Sequence, residues 1–379
     1  MNYAFTDDQR AIEDAARIFS ATELAPHSAH WDAEEVFPVE TLRAAAALEF
    51  AGIYVDPKVG GSGLSRLDAA IVFEALSYGD VSMAAFLSIH NMASWMIDEF
   101  GAQDLRERYL PRLATMELIA SYCLTEPGSG SDAAALRTTA VRDGDHYVLN
   151  GSKAFISGAG VSDVYVVMVR TGAAGSRGVS ALVVEKGTRG LSFGANEKKM
   201  GWRSQPTAQV NFDECRVPME NRIGQEGEGF KFAMAGLDGG RLNITACALG
   251  GAALAFDMAK LHLETRHQFG KPLKENQALQ FRLADMATEL EAARLMVRRG
   301  AAAMDAKDPN ATRLCAMAKR FGTDAAFEVA NQALQLHGGY GYLKDYPLER
   351  IVRDLRVHQI LEGTNEIMRV IIARELFRS

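Results

Sequence analysis

The sequence predicts an α+β protein in which two helical regions flank a β domain. Three observations carry this. Residues 1–119 and 229–379 place apolar side chains at helical spacing. Between Leu118 and Val217 the period shortens to strand-like runs, separated by Asp143-Gly144, Asn150-Gly151 and Gly187-Thr188. The chain has 379 residues, of which 48% are hydrophobic and 23% charged, enough for two or three cores and unlike a disordered chain. The α, β, α order departs from the βαβα rhythm of a doubly wound dinucleotide fold, and no GxGxxG follows an early strand.

Thr6 or Asp7 can cap the first helix, which runs through Ile12, Ala16, Phe19 and Leu24. A second begins at Phe37-Pro38-Val39. Pro57, Gly60, Gly61 and Gly63 predict a loop over 56–65. Helical spacing returns at Asp68 and is read as continuing to Phe100, with a short helix after Gly101. The clearest strands are 147–149, 164–169 and 179–184. Four helices are expected afterwards, over 230–260, 280–304, 311–336 and 365–377.

Lys and Arg total 41 against 48 Asp and Glu, a formal charge of -7, so non-specific nucleic-acid binding is not expected. No secretory signal or apolar run of about 20 residues is read, so no membrane association is expected. Cys123, Cys215, Cys247 and Cys315 are too scattered for a disulfide framework and are expected as buried thiols. No HExxH arrangement, Cys–His cluster or GxSxG elbow is present, so neither a metal site nor a serine hydrolase is expected.

Five stretches carry chemistry. The turn from Tyr122 through Leu124, Thr125, Gly130 and Ser131 to Asp132 can present backbone N–H groups and hydroxyls to a polar ring or phosphate. An ordinary helix-to-strand connection reads equally well. Phe155 and Ser157 could flank a planar group, or be core and surface residues. In the stretch from Thr265 to Pro272, Arg266 suits a pyrophosphate, though a charged helix end reads as well. Gly338 and Gly339, after Gln335, allow close backbone approach or a simple helix cap. Glu362 stands in an apolar neighbourhood before Gly363 and Thr364. Such a carboxyl can act as a base, or merely cap or pair.

Taken in order, these stretches resemble the acyl-CoA dehydrogenase family nearly end to end. The resemblance rests on 122–132, 265–272, 335–341 and 361–366, and 337–346 and 356–363, with 201–207 in support, point to its short, branched-chain members. It implies an N-terminal α domain (1–119), a middle β-barrel-like domain (120–228) and a C-terminal four-helix bundle (229–379). It also implies FAD, an acyl-CoA substrate and a 2,3-enoyl thioester product. Glu362 matches the family's base, taking the α proton while the β carbon gives hydride to flavin N5. The thioester oxygen would accept hydrogen bonds from the ribityl 2′-hydroxyl and the Glu362 N–H, stabilising the developing enolate.

The same matching assigns Tyr122, Leu124, Thr125, Gly130, Ser131, Phe155 and Ser157 to the flavin. Arg266, Phe269, Gln277, Gln335, Gly338 and Gly339 would hold the rest of FAD, from a neighbouring subunit, with Thr364 and Glu366 on the same cofactor. Ser131, Asp238, Arg241, Gly363 and Arg374 match CoA or acyl contacts, beside Glu362. One branch of the family carries its base near the position of Gly240, and a glycine cannot serve. Phe155 stands where the family often has Trp. The resemblance further implies a homotetramer, a dimer of dimers, that passes electrons to an electron-transfer flavoprotein. A bacterial protein of this kind would be cytoplasmic, and a eukaryotic one mitochondrial after loss of its transit segment. An isobutyryl-CoA substrate is the leading expectation. 2-Methylbutyryl- or butyryl-CoA comes next, and an acyl-CoA oxidase is the further alternative.

Overall fold

The structure, a computed structural model, describes residues 4–377. Helix α1 (Asp7–Phe19) starts at a capping box in which Thr6 and Gln9 satisfy each other's backbone N–H groups. A single π-helical turn (Ser20–Leu24) extends it. α2 (Ser28–Glu34), α3 (Val39–Ala46), α4 (Arg66–Ser77), α5 (Val81–Phe100) and α6 (Gln103–Ala114) follow. The run expected from Asp68 to Phe100 is thus two helices. Asp80 breaks it: its backbone is extended and its carboxylate accepts from Met83 N at 2.8 Å, starting α5 afresh.

Strands β1 (Ala120–Cys123), β2 (Thr139–Asp143), β3 (His146–Ser157), β4 (Val164–Arg170), β5 (Val179–Glu185), β6 (Leu191–Phe193), β7 (Thr207–Pro218) and β8 (Arg222–Ile223) form one mixed sheet. Its order is β6-β7-β3-β2-β4-β5-β8, with β1 parallel to β4. The continuous apolar runs of β4 and β5 have a physical reason, since both faces are buried. Val164, Val166 and Met168 pack towards α5 and α6, while Tyr165, Val167 and Val169 pack on Leu149, Val210 and Val217. The sheet thus folds over its own inner core. The barrel-like expectation is refined, because β6 and β8 end the strand order instead of pairing.

The last region holds α7 (Gly229–Thr265), α8 (Gln277–Asp305), α9 (Ala311–Leu336), α10 (Leu348–Arg356) and α11 (Asn365–Leu376). Three long helices form the bundle, and the shorter α10 and α11 both pack on α9. α7 has the length and mean hydropathy to cross a membrane, although Asn243, Thr245 and Asp257 interrupt its apolar run as expected. However, most of that stretch is buried here, and the helix packs on α4, α5, α8 and α9. One continuous core joins Phe19, Phe73 and Phe86 of the first helices to Leu249, Val297, Val329 and Leu355 of the last. All four cysteines are buried thiols. The sheet is pinned to this helical body by the 201–207 loop. Trp202 N donates to Asp354 Oδ1 (2.6 Å), Trp202 Nε1 to His358 Nε2 (3.2 Å), and Gln205 Nε2 to the Ser82 carbonyl (3.2 Å).

Candidate active site

Glu362 lies in the turn between α10 and α11. It has φ 56° and Gly363 has φ 86°, so two successive residues are left-handed. That conformation costs a non-glycine residue on the order of 1–2 kcal/mol and needs outside support. Two buried cations provide it. Arg241 Nε donates to the Glu362 carbonyl (3.3 Å), and Lys319 Nζ donates to the Gly363 carbonyl and to Asn365 Oδ1 (both 2.8 Å). Thr364 then caps α11 by accepting from Ile367 N (3.3 Å).

The turn delivers the carboxyl onto α7. A Cβ at Gly240 would lie 2.8 Å from Glu362 Oε2 and 3.1 Å from Met92 Sδ. The glycine that cannot act as base is therefore what makes room for the base. Glu362 Oε2 is buried and has no hydrogen-bond partner among the described residues. Burial raises its pKa to about 7, against the opposing pull of Arg241 and Lys319. The Tyr122 hydroxyl is likewise buried and unpartnered among the described residues. Burial, and then the Glu362 charge, push its pKa well up, so it stays a neutral phenol. Asp238 holds Arg241 in an ion pair and accepts from Thr312 Oγ1 (2.6 Å). Tyr122, Asp238, Arg241 and Gly363 are thus brought to Glu362.

The residues expected to face the flavin, Leu124, Thr125, Phe155 and Ser157, lie on the 122–126 segment and the adjoining end of β3. The Thr125 carbonyl accepts from Ala154 N (2.8 Å), joining the 122–126 segment to β3. β3 bulges between Lys153 and Ile156, where Phe155 takes φ 57° and turns its ring outward, 68% exposed. Leu124 and Phe155 offer apolar surface, and Thr125 and Ser157 offer hydroxyls. This donor set suits the faces and polar rim of an isoalloxazine. Gly130 and Ser131 are exposed on the adjoining turn.

A second group lies elsewhere. Arg266 lies 25 residues beyond Arg241, or about 37 Å along α7 and its C-cap. Its guanidinium stands 5.6 Å from the Tyr340 ring centroid. Phe269 is 96% exposed, and Gln277, Gln335, Gly338 and Gly339 are exposed nearby at the ends of α8 and α9. In one chain, this group and Glu362 are too far apart to share one end of a cofactor. Glu366 and Arg374 sit on the exposed side of α11, paired with Arg369 (3.6 Å) and Glu375 (3.2 Å).

Three supporting residues escaped the sequence. Lys319 anchors the base-bearing turn. Lys153 is fully buried and pairs with Glu126 (2.8 Å) while donating to the Leu124 carbonyl (3.2 Å). Glu126 also accepts from the N–H groups of Arg137 (2.6 Å) and Thr138 (2.9 Å), so this buried pair locks the segment that carries Leu124 and Thr125. Lys319 and Lys153 lie outside the recognised stretches, and Glu126 lies inside 122–132 without a role read for it, because a lone Lys or Glu in sequence reads as surface.

This combination of helical body, folded-over sheet and carboxyl resting on a helix glycine defines a family. Descriptions of the acyl-CoA dehydrogenase N-terminal, middle and C-terminal domains match residues 6–117, 121–215 and 227–377. The chain belongs to the acyl-CoA dehydrogenase family. It is 58% identical to the mitochondrial isobutyryl-CoA dehydrogenase of Bos taurus, over 98% of this chain and 90% of that one. Its fold superposes on butyryl-CoA dehydrogenase from Megasphaera elsdenii with a TM-score of 0.97, at 37% identity and full coverage of both chains. An FAD complex of PigA gives a TM-score of 0.96 at 32% identity, covering 99% of each chain. The protein is an FAD-dependent acyl-CoA dehydrogenase, closely related to isobutyryl-CoA dehydrogenase.

Proposed function

We propose that the acyl substrate is isobutyryl-CoA and the product methacrylyl-CoA, within branched-chain catabolism. The observation that carries the chemistry is the buried, unpartnered Glu362 Oε2 resting on Gly240. The 58% identity with isobutyryl-CoA dehydrogenase supports the acyl group. Glu362 takes the α proton onto its carboxylate. Arg241 and Lys319 hold the backbone of that turn, fixing where the carboxylate can reach. The buried setting excludes water, which would otherwise compete for the proton. Bound FAD supplies the hydride acceptor. Tyr122, Leu124, Thr125, Phe155 and Ser157 hold its ring, and Gly130 and Ser131 lie on the adjoining turn. The exposed group around Arg266 serves FAD in a second copy of the chain, with Gln335, Gly338, Gly339, Phe269 and Gln277. Such sharing fits a homotetramer, and an electron-transfer flavoprotein is the acceptor. Ser131, Asp238 and Gly363 contact the thioester side, while Glu366 and Arg374 lie on the CoA and FAD periphery.

Anaerobic flavin bleaching against isobutyryl-, 2-methylbutyryl- and butyryl-CoA tests the substrate. Isobutyryl-CoA is expected to bleach fastest, and faster bleaching by either of the others overturns the assignment. The pH profile tests the base. A base must be ionised to accept a proton, and Glu362 has a pKa of about 7. On log axes, kcat/KM should rise with unit slope below pH 7 and level off above it. A flat profile from pH 5.5 to 8.5 would remove Glu362 from that role.

A further inference from the structure

Arg66 opens α4, its backbone N–H donating to Asp305 Oδ1 (2.8 Å), a position where a charged side chain ordinarily reaches solvent. Instead its guanidinium turns inward beneath α7 and is 7% exposed. It stacks 3.7 Å from the Tyr54 ring centroid and 4.6 Å from that of Trp95. Nη1 and Nη2 are both buried and find no hydrogen-bond partner among the described residues.

Its place in the site follows from two neighbouring glycines. A Cβ at Gly239 would lie 2.5 Å from Arg66 Nη1, and one at Gly240 would lie 2.8 Å from Glu362 Oε2. Adjacent residues of one helix therefore seat the cation and the base. Tyr54 lies within electrostatic reach of both, its hydroxyl accepting from Asn243 Nδ2 (3.0 Å). Met92 and Met96 pack against Gly236 on the same side of α7. A purely structural wall here would be served by Leu or Met. Stacked between the two rings, this guanidinium leaves its buried Nη1 and Nη2 without partners among the described residues, and unsatisfied N–H groups are costly in an apolar setting.

We propose that Arg66 forms the far wall of the acyl chamber and sets its length limit. The chamber accepts a four-carbon acyl group. It rejects longer alkyl chains, whose end methylenes would have to cover the guanidinium N–H groups with hydrocarbon. The inference rests on the short-acyl reading above and names the residue that enforces it.

The test compares kcat/KM for butyryl-CoA and hexanoyl-CoA in the wild-type holoenzyme and in the Arg66→Ala and Arg66→Met holoenzymes. Alanine removes both bulk and charge, whereas methionine keeps bulk and removes charge. Each extra methylene that a pocket accepts or rejects is worth about 10- to 200-fold in kcat/KM. The hexanoyl-to-butyryl ratio is expected to rise about tenfold or more in both variants, with the flavin spectrum retained. A ratio within about twofold of wild type in both overturns the proposal. So does a wild-type enzyme that oxidises hexanoyl-CoA as readily as butyryl-CoA, a measurement independent of how either variant folds. The length ratio uses straight chains alone, so it stays readable whichever way the branched-against-straight comparison falls.

Discussion

Replacing Glu362 by Gln is expected to lower the rate of flavin reduction by acyl-CoA about 10²- to 10⁴-fold, the usual worth of a positioned acid or base. FAD should remain bound, because the turn is held through backbone carbonyls that the substitution leaves in place. The same variant carries a stability signature. The Glu362 pKa rises from 4.5 to about 7 on burial, so the fold favours the neutral carboxyl. That contribution is complete below pH 4.5 and is lost as pH rises through 7. Glutamine never ionises and escapes the loss. At pH 8 the variant should therefore be more stable by up to about 3 kcal/mol, with the advantage vanishing near pH 4. Stopped-flow reduction and denaturant melts at the two pH values check both parts. Unchanged reduction kinetics would mean that another group takes the proton.

Lys153→Met is expected to have the largest effect on stability. It strands Glu126, 7% exposed, without the one cation that pairs with it among the described residues. Burial alone would raise the Glu126 pKa, but Lys153 and the hydrogen bonds outweigh it and hold it below 4.5. Removing one partner of a buried pair costs about 3–5 kcal/mol. Because the Leu124 carbonyl also loses its Lys153 bond, FAD should dissociate more readily. The double variant with Glu126→Gln should recover much of the loss, since no buried charge is left unpaired. Thermal melts and flavin release under dilution measure both. A single variant as stable as wild type would show that the 122–126 segment is held by other contacts.

What the sequence made legible followed from periodicity and motif. α9 begins and ends where its spacing places it, and α7 and α8 extend the expected spans by one to five residues at each end. α10 was not anticipated, being a nine-residue helix that follows a stretch crowded with Tyr and Gly. The break at Tyr78-Gly79-Asp80 was hidden because helical spacing continues on both sides, and only the Asp80 cap marks it. Glu362 and Tyr122 were found through motifs, and Arg241 through the family resemblance. Lys153, Lys319 and Arg66 were not, because their importance comes from burial, a property of distant contacts. Lys319 meets a turn 44 residues away, and Lys153 meets Glu126 across 27 residues. Phe155 was singled out as a residue, but its left-handed backbone follows from a bulge that strand patterning does not show.

The core shared by the first and last helices has a consequence for how the chain folds. To those helices the sheet is an insertion, separating Ala114 from Gly229. Its first strand, β1, pairs with β4, and its last, β8, pairs with β5, the neighbour of β4. Its two ends therefore lie on the order of 20 Å apart, from three strand spacings and a few residues of offset. A sheet that forms early would act as a staple, turning a long loop closure into a short one and lowering its entropic cost. The β domain thus carries the proposed flavin wall and also sets the chain distance over which the helical halves must find each other.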